Sequence, residues 1–290
     1  MMPGRHQPSI FMLLALCTVL LLALPAHSHE WHAKQGGLLR ATLSPPSGSS
    51  TLNVRAFGKT WPSEKQPDGK ILAWIGVDLD TKTGTHALHW SSDKASNAWS
   101  QEDTIVVSDG GFQKSYITVG KKMSVFDAEA LARIRADQAA FRRAYRATVE
   151  AAPDISFATR PTSGVVSSPF GARRFVNNEP RNPHSGIDIA AAEGTPIIAP
   201  LAGKVLLTES MFLNGNAIAI GHGRGLVTIY THMQDLQVKQ GQWVDTGERV
   251  GSVGKTGRAT GPHLHWGVRF QGARINPLDL TPPESQEHKP

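Results

Sequence analysis

Breakers divide this 290-residue chain before any motif does. From Gly37 to about Val119, β-prone runs such as TLNVRAFG, ILAWIGVDLD, THALHW, DTIVVSD and SYITV are separated by PPSGSS, PDGK and TKTG. From Phe157 onward the punctuation returns in RPTSGVVSSPFG, AAEGTPIIAPLAGKVL, NGNAIAIGHGRGLVTIY and VKQGQWVDTGERVGSVG. Glycine and proline at this density interrupt a helix repeatedly, whereas short strands joined by tight turns absorb them. Ser124 to Glu150 contains neither residue, is rich in Ala, Arg and Glu, and sets Leu131, Ile134, Phe141 and Tyr145 at helical spacing.

The chain therefore reads as mainly β. A small all-β domain, a sandwich or barrel, is expected at 29–120, and an antiparallel β-sheet domain with tight hairpins at 156–282. A linking helix of about six turns falls within 121–155, capped by Ser124 and Asp127, with its arginines on a solvated face. The length suits two units, each with its own core. Residues 283–290 have the composition of a disordered tail.

Residues 1–28 are of another kind. Arg5 and His6 precede the apolar run Ile10 to Leu24, and the small residues Ala26 and Ser28 follow, which is the layout of a signal peptide. The run is shorter than the roughly 20 residues a spanning helix needs. Cys17, the sole cysteine, lies inside it, so a processed chain has no thiol for a disulfide or a thiolate zinc site. Any metal must then sit on His, Asp or Glu. Without Arg5, 29 basic residues face 24 acidic ones. That excess suits an acidic polymer or peripheral association with an anionic envelope surface outside the cytoplasm. No cluster of basic and aromatic residues concentrates the charge, so nucleic acid is not an expected partner.

Five residues in the second domain carry the chemistry: His184 and Asp188 in NPHSGIDIA, His232 in IYTHM, and His263 and His265 in GPHLHWGV. Side chains at i and i+2 of a strand share a face, so HxH spacing on a strand aims both imidazoles at one point. Pro183, Gly186 and the Ile187, Ile189 alternation turn HxxxD into a loop entering a strand, with Asp188 facing away from the isoleucines. LVTIYTH reads as a third strand delivering His232. Nitrogen and oxygen groups converging from three elements describe an open zinc site, with three protein ligands and a water.

The segments SSPFGARRFVNNEPRNPHSGIDIAAAEGTPIIAPLAGKV, GNAIAIGHGRGLVTIYTHM and VGKTGRATGPHLHWGV resemble the LytM and lysostaphin type of zinc endopeptidase, which cuts peptide cross-links in bacterial cell walls. The resemblance covers Gly164 to about Leu280. Upstream, the β domain and helix look like the amino-terminal region of some Gram-negative members. The resemblance implies one zinc ion held by His184, Asp188 and His265, with His263 as catalytic histidine and His232 as the other histidine of the reaction site. It implies a peptidoglycan substrate, D,D-endopeptidase specificity and a periplasmic location.

The chemistry agrees with those roles. No HExxH glutamate is present to act as base, and His263 shares a strand face with His265, so His263 is best placed to take the proton of the attacking water. His232 is left to stabilise an oxyanion or protonate the leaving amine. A binding protein or an activator of another murein hydrolase on the same fold is the competing reading, and a protein regulator is a further expected partner.

Other histidines fit less well. His222 lies in a glycine-rich turn, and His86 and His89 face opposite sides of a strand. His27, His29 and His32 belong to a terminal segment. Arg173, Arg174, Asn177 and Arg181, just before the first ligand, are candidates for a substrate groove. GSVGKTG is no phosphate loop, because Arg249 stands where its first glycine belongs and no helix follows.

Overall fold

The computed structural model describes residues 28–45, 52–92, 99–118, 126–151 and 158–281. The expected leader up to residue 27, the Ser124 cap and the tail lie outside these residues. In chain order the amino-terminal unit contains β1 (Glu30–Lys34), β2 (Leu38–Leu43), β3 (Leu52–Ala56), β4 (Lys59–Trp61), β5 (Ser63–Lys65), β6 (Ile71–Gly76), β7 (Gly84–Ser92), β8 (Ser100–Ser108) and β9 (Lys114–Ile117). One sheet has the order β1-β8-β7-β3-β4 and a second the order β2-β6-β5, as the all-β reading requires. Leu52, Val54 and Ala56 alternate inward on β3, as do Ile105 and Val107 on β8.

Asp103 interrupts that apolar row at 1% exposure. It accepts from the His29 amide (3.0 Å), Trp31 Nε1 (3.1 Å), Trp90 Nε1 (2.9 Å) and Gln101 Nε2 (2.7 Å). Burial opposes its ionisation, but these donors outweigh burial and hold the carboxyl below its ordinary value. A depressed carboxylate contributes stability above the usual carboxylate range, and that contribution is lost as pH falls through the folded value. Asp103→Ala is expected to cost about 3 kcal/mol, because the indole N–H groups lose their acceptor. Urea unfolding at neutral pH measures this, and a loss below about 1 kcal/mol would show that the indoles find other partners.

After the helix α1 (Ala128–Arg146), the carboxy-terminal unit contains β10 (Val165–Ser168), β11 (Arg173–Val176), β12 (Glu179–Pro180), β13 (Gly186–Ala190), β14 (Pro196–Ile198), β15 (Gly203–Met211), β16 (Gly215–Gly223), β17 (Leu226–Leu236), β18 (Trp243–Val244), β19 (Arg249–Val253), β20 (His263–Phe270) and β21 (Ala273–Ile275). The main path is β10-β13-β20-β17-β16-β15-β18, with β14, β19 and β21 attached beside it and every pairing antiparallel.

The two units share one core rather than each having its own. Trp61 packs on Phe270 with ring centroids 5.6 Å apart, and a Cβ on Gly76 would touch Ala273, Ile275 and Trp61 at 3.3 Å. Asp78 accepts from the backbone and guanidinium of Arg274, and β9 pairs in parallel with β11 across the boundary. An apolar edge at β21 has to be covered, and β6 covers it.

α1 is shorter than the segment 121–155. Its cap is Asp127, whose side chain accepts from the Ala130 amide at 2.8 Å. Ala140, Phe141 and Ala144 bury against Leu207, Met211, Ala217 and Ala219. Leu131, expected on the inward face, is 41% exposed. Among the described residues, the buried positions of α1 all fall in its carboxy-terminal half, over β15 and β16.

Candidate metal centre and active site

β13 and β20 run side by side with Asp188 opposite His265. Ile187 and Ile189 point into the core, which turns Asp188 to the other face, and Leu264 and Trp266 do the same for His263 and His265. His184 precedes β13 and is tied at both backbone groups: Gly171 N–H donates to His184 O (2.8 Å), and His184 N–H to Ala172 O (3.0 Å). Loop and strands thus bring the three predicted ligands together.

His184 Nε2 lies 2.9 Å from Asp188 Oδ1 and 2.9 Å from His265 Nδ1, and the last two atoms are 2.8 Å apart. His184 Nδ1 faces Pro169 O at 2.9 Å. A carbonyl only accepts, so Nδ1 carries the proton and Nε2 presents a lone pair to the cluster. Imidazole and carboxylate lone pairs crowded this closely are what a small cation relieves. Zinc–ligand bonds of about 2.0–2.1 Å need ligand atoms roughly 3.3 Å apart, which an outward shift of about 0.3 Å by each atom supplies. The donor set therefore fits zinc. Burial opposes a charge on Asp188, but when no cation is bound a ring proton of His184 or His265 directed at it outweighs burial and holds the carboxyl far below its ordinary value; a cation takes the place of that proton. Burial also lowers the His265 pKa, favouring the neutral ring that a metal requires. Among the described residues this is the one cluster of three such groups.

His232 and His263 form a second pair, with ring centroids 4.8 Å apart and planes at 45°. His263 Nδ1 donates to Gly261 O at 2.8 Å, and His232 Nδ1 to Thr256 O at 2.9 Å, so each ring keeps a bare Nε2. Burial lowers the His232 pKa to about 4, leaving it neutral at physiological pH. His232 also has φ of +64°, at an irregularity of β17, and its amide donates to Asn214 O at 2.8 Å. The sequence places His232 on a strand but does not disclose this left-handed backbone. Nor does it point to Asn214, Thr256 or Gly261, which act through main-chain carbonyls that any residue carries.

The remaining candidates separate. Arg173 bonds Asp80 at 3.0 Å and lies over Phe112, which commits it to the contact between units. Asn177 and Asn178 both have positive φ and form the two-residue turn between β11 and β12, a position that favours asparagine. Arg181 is exposed, and the side chain of Arg174 lies outside the described ones. His222 is fully buried, with Nδ1 on Ala202 O and Nε2 on Thr228 Oγ1, a structural role. On β7, His86 shares the face of Leu88 and Trp90 and His89 takes the other. His32 pairs with Glu30, and the His29 amide with Asp103; His27 lies outside the described residues.

The sequence model of peptidase family M23 matches residues 182–277, a segment containing all five site residues. The DD-carboxypeptidase/endopeptidase Mpg of Neisseria meningitidis serogroup B is 41% identical over 118 residues, covering 41% of this chain and 27% of that protein. The peptidoglycan DD-endopeptidase ShyA of Vibrio cholerae is 39% identical over 119 residues, covering 41% of this chain and 28% of that protein. The chain thus spans little more than a quarter of the length of these relatives. A crystal structure from Pseudomonas aeruginosa assigned to peptidase M23 is 31% identical and superposes with a TM-score of 0.67, covering 85% of this chain and 93% of that one. That likeness extends well beyond the 182–277 segment.

Proposed function

The chain belongs to peptidase family M23, and on that premise we propose that it is an exported zinc endopeptidase that hydrolyses D,D-peptide cross-links of peptidoglycan in the Gram-negative periplasm. One observation carries the reading: three ligand atoms within 2.9 Å of one another, next to a pair of histidines with bare Nε2 atoms. The names of the Neisseria and Vibrio relatives support the substrate, and the leader-like residues 1–28 support export.

When bound, zinc supplies Lewis acidity and lowers the pKa of a coordinated water to about 7. His184, Asp188 and His265 would hold it, through His184 Nε2, Asp188 Oδ1 and His265 Nδ1. His263 Nε2 takes the proton of the attacking water and passes it to the leaving amine. His232 cannot at first donate to an oxyanion, because its Nδ1 proton is engaged by Thr256 and its low pKa leaves Nε2 bare. It accepts a hydrogen bond from water or substrate at rest and becomes a donor only after a proton reaches it. β13, β17 and β20 set these groups on paired strands, which limits how far they drift from working geometry.

The test incubates the purified zinc-loaded chain with cross-linked muropeptide dimers and follows the products by mass spectrometry, with His265→Ala as control. Conversion to monomers by the wild type alone is expected, and the product masses identify the bond. No conversion by a folded, zinc-bound chain would favour a wall-binding or activator role.

A further inference from the structure

α1 lies before the family segment, but its contacts lead into the site. Asp137, in the middle of the helix, accepts the Phe212 amide at 2.8 Å through Oδ2. Phe212 opens the three-residue tip, 212–214, that joins β15 to β16. Its ring meets the Arg133 guanidinium (5.6 Å to the centroid) and the edge of Phe126 (6.0 Å, 80°), and the Arg258 guanidinium lies over Phe126 at 6.0 Å. Three side chains, Asp137, Arg133 and Phe126, thus meet this hairpin tip, and Arg258 backs Phe126 from the other side.

The tip in turn grips the loop after β19. Arg258 N–H donates to Leu213 O at 2.9 Å. A Cβ on Gly257 would lie 2.3 Å from Gly215 N, and one on Gly215 would lie 2.4 Å from the Thr256 carbonyl carbon, so two backbones touch where only glycine fits. Thr256 Oγ1 accepts from Asn216 N–H (2.9 Å) and donates to Met233 O (2.7 Å). Both partners of His232 sit on these linked loops: Asn214 O takes its amide, and Thr256 O takes its Nδ1–H.

A non-glycine residue at φ of +64° is held in a conformation costing on the order of 1–3 kcal/mol, and it persists only when its surroundings impose it. We propose that α1 is a positioning clamp for the active site, with Asp137 as its positioning residue: by fixing the 212–214 tip it holds the carbonyls that set the backbone and ring of His232. The proposal rests on the function assigned above only for its kinetic consequence. Its structural consequence stands without it.

The experiment compares the zinc-loaded wild-type chain with Asp137→Ala, Asp137→Asn and Arg133→Ala. Hydrogen exchange at the amides of Phe212 and His232 is read beside zinc content and the kcat and KM for muropeptide dimers. Asp137→Ala is expected to speed exchange at both amides about fivefold or more and to lower kcat several-fold, with zinc content and KM unchanged. Asn retains a side-chain carbonyl oxygen, so Asp137→Asn is expected to restore both readouts. Arg133→Ala, at an exposed side chain that leaves the helix cap intact, is expected to act in the same direction more weakly. Wild-type exchange at His232 in both alanine variants would overturn the clamp, as would a loss that Asp137→Asn fails to restore. If the wild type proves inactive on dimers, the exchange data still decide the matter, so failure of the clamp and failure of the peptidase reading are separable.

Discussion

His265→Ala is expected to lower zinc affinity by well over a hundredfold and to abolish hydrolysis while leaving the fold intact. The affinity figure follows from comparison: loss of an outer hydrogen-bond partner of a metal ligand already costs about 10–100-fold, and His265 is itself a ligand candidate. His265 Nδ1 is 2.8 Å from Asp188 Oδ1 and 2.9 Å from His184 Nε2, so its removal leaves two donors and no closed face for the ion. The fold is spared because the ring lies on the site side of β20, while Leu264 and Trp266, both fully buried, carry the core side. Removing the ring also takes one partner from the Asp188 carboxylate, so the apo variant is expected to melt slightly below the apo wild type while still unfolding cooperatively. Metal titration by calorimetry and thermal melting with and without zinc provide the measurements. Stoichiometric, tightly held zinc in the variant would remove His265 from the ligand set, and the HxH assignment with it.

Much of this site is visible in the sequence because strand periodicity is strict. Ile187 and Ile189 fix the side on which Asp188 emerges, and Leu264 and Trp266 do so for His263 and His265, so one rule of alternation places three of the five residues. The rule gives out where the backbone leaves the strand. His232 occupies a left-handed position, and its orientation depends on carbonyls from Asn214 and Thr256 that no side-chain pattern announces. The helix shows the same limit. Its existence follows from a stretch without breakers, but Leu131 turns out exposed because the extent of the sheet below, not the periodicity, decides which turns are buried. The shared core is hidden for a similar reason. Trp61, Gly76 and Ile275 look like ordinary strand residues, and only the folded edge at β21 makes them neighbours.

His263→Ala is expected to separate chemistry from metal binding. Its Nδ1 is engaged by Gly261 O and its ring stacks toward His232 rather than into the ligand cluster, so one zinc per chain is expected to remain. Loss of a positioned general base typically costs about 10²–10⁴-fold in rate, and the fall is expected in kcat with KM little changed. Added imidazole is expected to recover part of the loss, since the substitution leaves space beside the attacking water. His232 calls for a different substitution: alanine there would retain the strain of φ +64°, so His232→Gly removes the ring without it. If His232 acts after the first proton transfer, His232→Gly loses rate without gaining from imidazole, and the two variants differ in kind. If His263→Ala keeps both zinc and full kcat, the base must be the other bare Nε2. His232, neutral with a pKa near 4, then inherits the role, as a weaker base whose activity persists to lower pH.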